Sequence, residues 1–128
     1  MKIFKLTTLL ALLIVLVFSS STCAVTDEEA IQQTVTGFFT AYQNQEYSRC
    51  LEFLSEELKA SLGEEEIIER LRTAQFLGDF TRLKSMGEFK IGTTRATVWV
   101  DIEGFAGIVK TTQLTMVKED GNWRISVY

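Results

Sequence analysis

The sequence predicts an α+β domain in which three helices precede a curved, mainly antiparallel sheet of about four strands. Two observations support this prediction. Apolar residues between positions 31 and 74 recur at helical spacing, whereas apolar and polar residues alternate strictly from Thr93 to Glu103. A run of helices followed by a run of strands is typical of a layout in which the helices cover one face of the sheet.

The first helix begins with a capping box. In Thr26-Asp27-Glu28-Glu29, the Thr26 hydroxyl can accept a hydrogen bond from the backbone of Glu29. The apolar residues that follow have the spacing i, i+4, i+7, i+8 and i+11, which predicts one buried stripe: Ile31, Val35, Phe38, Phe39 and Tyr42.

Two further helices are predicted before the sheet. The second carries Tyr47, Leu51, Leu54 and Leu58 on one face and ends near Gly63, and Cys50 lies on it as an inert core thiol. The third opens with a capping box at Ser61-Leu62-Gly63-Glu64 and turns Ile67, Leu71 and Ala74 inward. Gly78 ends the helical half.

The strands follow from residue 79 onward. The first, residues 79–91, is irregular and is expected to bend at Gly87. The second, residues 93–103, turns Ala96, Val98, Val100 and Ile102 toward the helices and Trp99, Asp101 and Glu103 away from them. After a turn at residues 104–107, the strands at 108–118 and 123–128 are joined by the hairpin signal Glu119-Asp120-Gly121-Asn122.

The N-terminus has the pattern of a signal peptide. Two lysines precede ten consecutive apolar residues, 9–18, and a small-residue stretch that includes Cys23. We therefore expect a signal peptide at residues 1–24, a domain at 25–128, and a secreted or cell-envelope location. Three alternatives stay open: cleavage before Val25, lipidation of Cys23 at an imperfect lipobox, and an uncleaved anchor. Membrane contact would come only through this segment or its lipid.

Composition excludes several classes of site. The 128 residues contain no histidine and two cysteines, which excludes His-based triads, His-ligated metals and thiolate zinc sites. Residues 25–128 carry 11 basic and 17 acidic side chains, so a formal charge of −6 argues against nucleic acid as a partner. We expect no metal and no cofactor.

Three segments carry a resemblance to a known superfamily. Phe38-Phe39-Thr40-Ala41-Tyr42, residues 94–98 and residues 117–125 resemble the cystatin-like, cone-shaped fold of the nuclear-transport-factor-2-like superfamily. Within it, the chain is similar to small bacterial secreted proteins and lipoproteins catalogued as a domain of unknown function, also called lumazine-binding-like.

The resemblance implies a cavity between the helices and the sheet. Members use this cavity for ligand binding or for catalysis. Members resembling ketosteroid isomerase use a carboxylate with a tyrosine, and dehydratase-like members use the histidine that this chain lacks. Because the alternation turns Asp101 and Glu103 outward, we predict no catalytic residues.

The candidate site residues are aromatic. We expect a ligand pocket lined by Phe39, Tyr42, Phe53, Phe76 and Trp123, although the same aromatic residues could instead fill the core. Trp99 on the outer face predicts either an interface or a ring that lies over a neighbouring strand.

Three functions remain open at this point. The preferred one is an exported, non-catalytic domain that binds a small apolar ligand or a protein partner at the cell envelope. The alternatives are a pocket enzyme of isomerase or cyclase type that uses carboxylate and tyrosine, and a structural domain that forms a homodimer through its sheet.

Overall fold

A computed structural model describes residues 25–79 and 81–127. The signal peptide predicted at residues 1–24, including Cys23, lies outside the described residues. Within them the chain forms four α-helices followed by four strands: α1 Asp27–Gln43, α2 Tyr47–Cys50, α3 Glu56–Leu62, α4 Glu64–Phe76, β1 Arg82–Ile91, β2 Arg95–Glu103, β3 Val109–Glu119 and β4 Asn122–Val127. Short 3-10 turns lie at Leu51–Phe53 and Phe105–Gly107. The predicted α+β class is confirmed.

Helix α1 forms as its sequence predicts. Thr26 is its N-cap, and the Thr26 side chain accepts a hydrogen bond of 3.2 Å from the Glu29 backbone. The predicted stripe is buried, with exposed fractions of 6% or less at all five positions: Ile31, Val35, Phe38, Phe39 and Tyr42.

The prediction of one continuous second helix is wrong. The segment is divided into α2 and α3 because Leu54 is extended and forms a parallel bridge with Ile125. The Ser55 backbone N–H donates to the Ile125 carbonyl at 2.9 Å, and the Ser55 hydroxyl caps α3 by accepting from Leu58 at 3.1 Å. A long-range contact with the last strand of the same chain therefore interrupts a segment whose apolar spacing alone favours one helix.

The capping box predicted at Ser61 is also wrong. Helix α3 continues through Leu62, and its end is marked by Gly63, whose φ of +84° few other residues adopt. Gly63 donates its N–H to the Lys59 carbonyl at 2.8 Å and directly precedes α4. The N-cap position of the last helix is therefore occupied by a glycine with positive φ and not by a residue with a capping hydroxyl.

The four strands form one antiparallel sheet in the order β1-β2-β3-β4. The β2–β3 pairing is uninterrupted from Arg95 opposite Val117 to Glu103 opposite Val109. The inward positions of β2 are buried as predicted: Ala96, Val98, Val100 and Ile102. At the β3–β4 turn, Asp120 and Gly121 both have positive φ, which is the geometry of a type I′ hairpin.

The sheet is curved around α1. Both edge strands, β1 and β4, contact this helix. Strand β1 departs from regular pairing between Leu83 and Ser85 and again between Gly87 and Lys90, close to the bend predicted at Gly87. Such bulges increase strand twist and bending, and they allow β1 to follow the helix.

Among the described residues, no helix has both the length and the apolar character needed to cross a bilayer.

Candidate functional site

A cavity of about 280 Å³ opens between α1, α4 and the end of the sheet nearest the β2–β3 connection. It combines an aromatic wall with a polar end, which is the usual character of a small-molecule site. Its lining residues are Phe38, Phe39, Tyr42, Arg70, Leu71, Ala74, Asp79, Ile102, Lys110 and Thr112.

The apolar wall comes from the two long helices and one strand. Phe38 and Phe39 stand edge to face with their ring centroids 5.2 Å apart, and the Tyr42 ring lies 5.9 Å from that of Phe38. On the opposite side, α4 contributes Leu71 and Ala74 at i and i+3. The aromatic side chains hold one another in place while one surface remains open to the cavity.

The polar end arises from a change along β3. The inward residues Leu114 and Met116 are buried. Lys110 and Thr112, which precede them on the same face of β3, border the cavity. The core is therefore filled toward β4 and open toward the β2–β3 connection.

Two charged side chains from the helical half complete this end. Asp79 follows α4 and is exposed, and Arg70 on α4 forms an ion pair of 3.0 Å with Glu66. The sequence reasoning missed Lys110, Thr112 and Asp79. The alternation of β3 could have identified Lys110 and Thr112, because both lie an even number of residues before the inward Leu114 and so share its face.

A larger depression of about 370 Å³ lies beside this cavity and shares Asp79 with it. It is bounded mainly by charged side chains and glycine backbone, including Gly78, Gly104 and Gly107. Because it lacks a wall of apolar side chains, it is the weaker candidate for a ligand site.

The cavity brings together two of the five predicted pocket residues, Phe39 and Tyr42. Phe53, Phe76 and Trp123 do not line it. Phe76 closes α4 and is 87% exposed. Trp123 is 1% exposed and lies in the core with Met116 and Ile125.

Phe53 and Trp123 have structural roles instead. The Phe53 ring packs so closely on Gly37 that a Cβ placed there would lie 2.6 Å from its Cε1 and Cζ atoms. The Trp123 indole donates a hydrogen bond of 3.0 Å to Asp27 at the start of α1.

Trp99 lies on the face of the sheet away from the helices and is 38% exposed. It is paired with Gly87 on β1 and Gln113 on β3. The interface predicted for it remains a prediction.

The predicted outward direction of Asp101 agrees with the structure. Its carboxylate accepts hydrogen bonds from Thr111 at 2.6 Å and from Ser85 at 2.9 Å, across the outer face. These two hydrogen bonds, that of Thr111 first, hold the pKa of Asp101 below its ordinary value.

Cys50 is buried, as the sequence predicts for a core thiol. Its exposed fraction is 0%, and desolvation raises the pKa of the thiol to about 11. Within residues 25–79 and 81–127, no group of three or more Cys, Asp or Glu side chains is arranged to hold a metal ion.

Comparisons with known proteins identify the fold. A protein from Campylobacter jejuni, provisionally described as an NTF2-like transpeptidase, superposes with a TM-score of 0.55 at 12% identity, over 80% of this chain and 100% of that one. An NTF-2-like protein of unknown function from Shewanella oneidensis superposes with a TM-score of 0.58 at 18% identity, over 79% and 95% of the two chains. These likenesses confirm the nuclear-transport-factor-2-like fold.

A search of curated proteins finds no significant relative. A family model, in contrast, matches residues 23–126 and so covers most of the chain. The chain therefore belongs to the family described as Domain of unknown function (DUF4878).

Proposed function

We propose that this protein is an exported, non-catalytic domain that binds a small, mainly apolar ligand in the cavity between α1, α4 and the sheet. The observation that carries the proposal is the cavity itself, about 280 Å³ of space beside Phe38, Phe39 and Tyr42. A concave space with an aromatic wall and a few polar groups at one end is the usual form of a small-molecule site, and it therefore favours a ligand.

The cavity limits the ligand. At about 280 Å³ it lies near the lower end of ordinary small-molecule sites, which span roughly 300–1,000 Å³. Leu71, Ala74 and Ile102 favour an apolar body, whereas Asp79 and Lys110 favour one polar group at the open end. We expect a compact molecule with one polar end rather than a long lipid chain.

The position of the N-terminus supports presentation at a membrane surface. Helix α1 begins beside the β3–β4 hairpin, where Asp27 contacts Lys118 and Trp123. The cavity borders Lys110, near the other end of strand β3 and eight residues before Lys118, a separation of roughly 26 Å along the strand. A domain tethered through residues before Val25 would hold its cavity away from the tether.

Native mass spectrometry tests this proposal. The full chain is purified from the envelope of its own cells, and we expect a fraction with one bound small molecule. In Ala74→Phe, a ring replaces a methyl group on the cavity wall and should abolish the adduct. The matched control is Phe76→Ser on the same helix, outside the cavity, which should keep it. Absence of an adduct from the wild type, or its persistence in Ala74→Phe, would contradict the proposal.

One observation favours a second candidate, a pocket enzyme. Tyr42 and Asp79 border the same cavity, which is the pairing of tyrosine and carboxylate that isomerase-type chemistry uses. Binding is favoured over catalysis because Asp79 is exposed, and a carboxylate base gains its reactivity from burial. Proton exchange of a small cyclic ketone in D₂O, followed by NMR, tests the enzyme. Exchange that falls in both Tyr42→Phe and Asp79→Asn would support it, and the same exchange rate in all three proteins would exclude it.

A further inference from the structure

A row of three oxygen-bearing side chains crosses the outer face of the sheet. Ser85, Asp101 and Thr111 lie directly opposite one another on β1, β2 and β3. The Ser85 hydroxyl donates to Asp101 Oδ2 at 2.9 Å, and the Thr111 hydroxyl donates to Oδ1 at 2.6 Å. The strand register, rather than a flexible loop, fixes the three groups.

The hydrogen-bond direction in this row restricts what it can bind. An ionised carboxylate only accepts hydrogen bonds, and each hydroxyl has a single proton. Ser85 and Thr111 both direct that proton to Asp101, so the bonding capacity that remains in the row consists of lone pairs. A ligand that docks here must supply donors.

An aromatic ring lies next to the row. Trp99 is two residues before Asp101 on the same face and is paired with Gly87. Apart from the two chain neighbours of Gly87, no atom of the described residues lies within 4 Å of the place that a Cβ of Gly87 would occupy, so the space beside the ring is open. The result is a cleft of about 290 Å³ lined by Ser85, Met86, Gly87, Glu88, Trp99, Asp101 and Thr111.

The charged side chains of the cleft are acidic. Asp101 and Glu88 line it, and no basic side chain does among the described residues. Lys84 lies near enough to act on Asp101 electrostatically but is not part of the lining. The next outward carboxylate on β2, Glu103, already has a guanidinium partner in Arg82 at 4.0 Å.

We propose that this cleft binds the guanidinium group of an arginine on a protein partner. A guanidinium carries five donors and no acceptor, so it complements a row that offers only lone pairs. It is planar and stacks on aromatic rings, which matches the partly exposed Trp99 side chain in the lining of the cleft. An ammonium group would complement the negative charge of the cleft, but it is not planar and cannot stack flat on the Trp99 ring. The site lies on the opposite face of the sheet from the ligand cavity and is independent of the proposed function.

NMR titration of the purified protein with Nα-acetyl-arginine amide tests the proposal. The indole N–H of Trp99 reports the cleft, and that of the buried Trp123 is an internal reference. We expect a saturable shift of the Trp99 signal alone. We expect the affinity for Nα-acetyl-lysine amide to be lower by about fivefold or more, because an ammonium lacks the planar fork of a guanidinium. Equal affinities for the two compounds, or no saturation with the arginine compound, would overturn the proposal.

Three variants separate the site from general effects. Asp101→Asn should abolish the shift because it removes the charge and introduces donors. Gly87→Val should also abolish it while every charge remains, since the new side chain fills the open space and suits a strand. Glu103→Gln is the matched control on the same face and should bind as the wild type does. Binding unchanged in Gly87→Val would overturn the assignment to this cleft.

Sedimentation of the same proteins distinguishes the source of the arginine. We expect the wild type and Gly87→Val to sediment alike. A wild-type dimer that Gly87→Val converts to a monomer would overturn the assignment to a partner protein, because a second copy of this chain would then occupy the cleft.

Discussion

The Trp123 indole Nε1 donates a hydrogen bond of 3.0 Å to Oδ1 of Asp27, a residue 96 positions earlier in the chain. The Lys118 ammonium lies 3.3 Å from the same oxygen and 5.7 Å from the centroid of the Trp123 ring. The first turn of α1 is thereby joined to the β3–β4 hairpin by one carboxylate. Among the described residues, the aromatic side chain that is buried most completely thus also holds the start of the domain.

This contact predicts a loss of stability in acid. The hydrogen bond from Trp123, followed by that from Lys118, lowers the pKa of Asp27 below its ordinary 3.8. A group whose pKa is lower in the folded state stabilises the fold above the unfolded pKa, and this contribution disappears as pH falls through the folded pKa. We therefore expect the free energy of unfolding to fall progressively below pH 3.8.

Urea unfolding between neutral pH and pH 3 measures this dependence. In Asp27→Asn the side chain still accepts from the indole but no longer titrates, so the slope in acid should be shallower. It should not vanish, because Asp101 contributes with the same sign. An Asp27→Asn slope equal to that of the wild type would count against the contact.

Gly37→Ala should destabilise the protein by about 1–3 kcal/mol, the usual cost of overpacking a core. The reason is local, since the new Cβ would lie 2.6 Å from the ring of Phe53. In a Phe53→Ala background the same substitution should stabilise the fold by roughly 0.5–1 kcal/mol, because alanine favours a helix over glycine. Denaturant unfolding of the four proteins measures both signs, and a Gly37→Ala effect that is the same in both backgrounds would exclude this contact as the cause.

Two of the aromatic residues predicted for the pocket should respond very differently to truncation. Phe76→Ser should change the free energy of unfolding by no more than about 0.5 kcal/mol, since that side chain is 87% exposed. Trp123→Ala should cost about 3–5 kcal/mol, because its ring is 1% exposed in the core. Thermal and urea unfolding of both variants provide the comparison. A costly Phe76→Ser would mean that this ring packs against something that the described residues lack.

Cys50 should be inert in the folded protein. Burial raises the pKa of its thiol to about 11, so little thiolate is present at neutral pH. In a Cys23→Ser background, a thiol-reactive dye should label Cys50 only after unfolding, and labelling against urea should follow the unfolding transition. Rapid labelling of the native protein would contradict the burial of this residue.

The pattern of apolar residues was sufficient where an element is fixed by its own sequence. The capped first helix and the alternation of β2 depend on local periodicity, and both appear where they were predicted. The break at Leu54 depends instead on Ile125, a residue 71 positions later, so no local signal identifies it.

The candidate site divides in the same way. Helical spacing places Phe39 and Tyr42 on the face that α1 buries, and both border the cavity. Size and apolarity predict Trp123 for the pocket, but they do not distinguish a ring that lines a space from a ring that fills one. Asp79 was missed because its position depends on where α4 ends relative to the sheet, which periodicity does not determine.

The bridge between Leu54 and Ile125 also determines when the domain can fold during synthesis. The backbone bond from Ser55 to the Ile125 carbonyl holds the start of α3, and its acceptor is made only after all of β1, β2 and β3. The ribosome must therefore add about seventy residues beyond Ser55 before the helical half can take its final form. Until then the aromatic residues of α1 lack the complete four-stranded sheet that covers them in the folded domain.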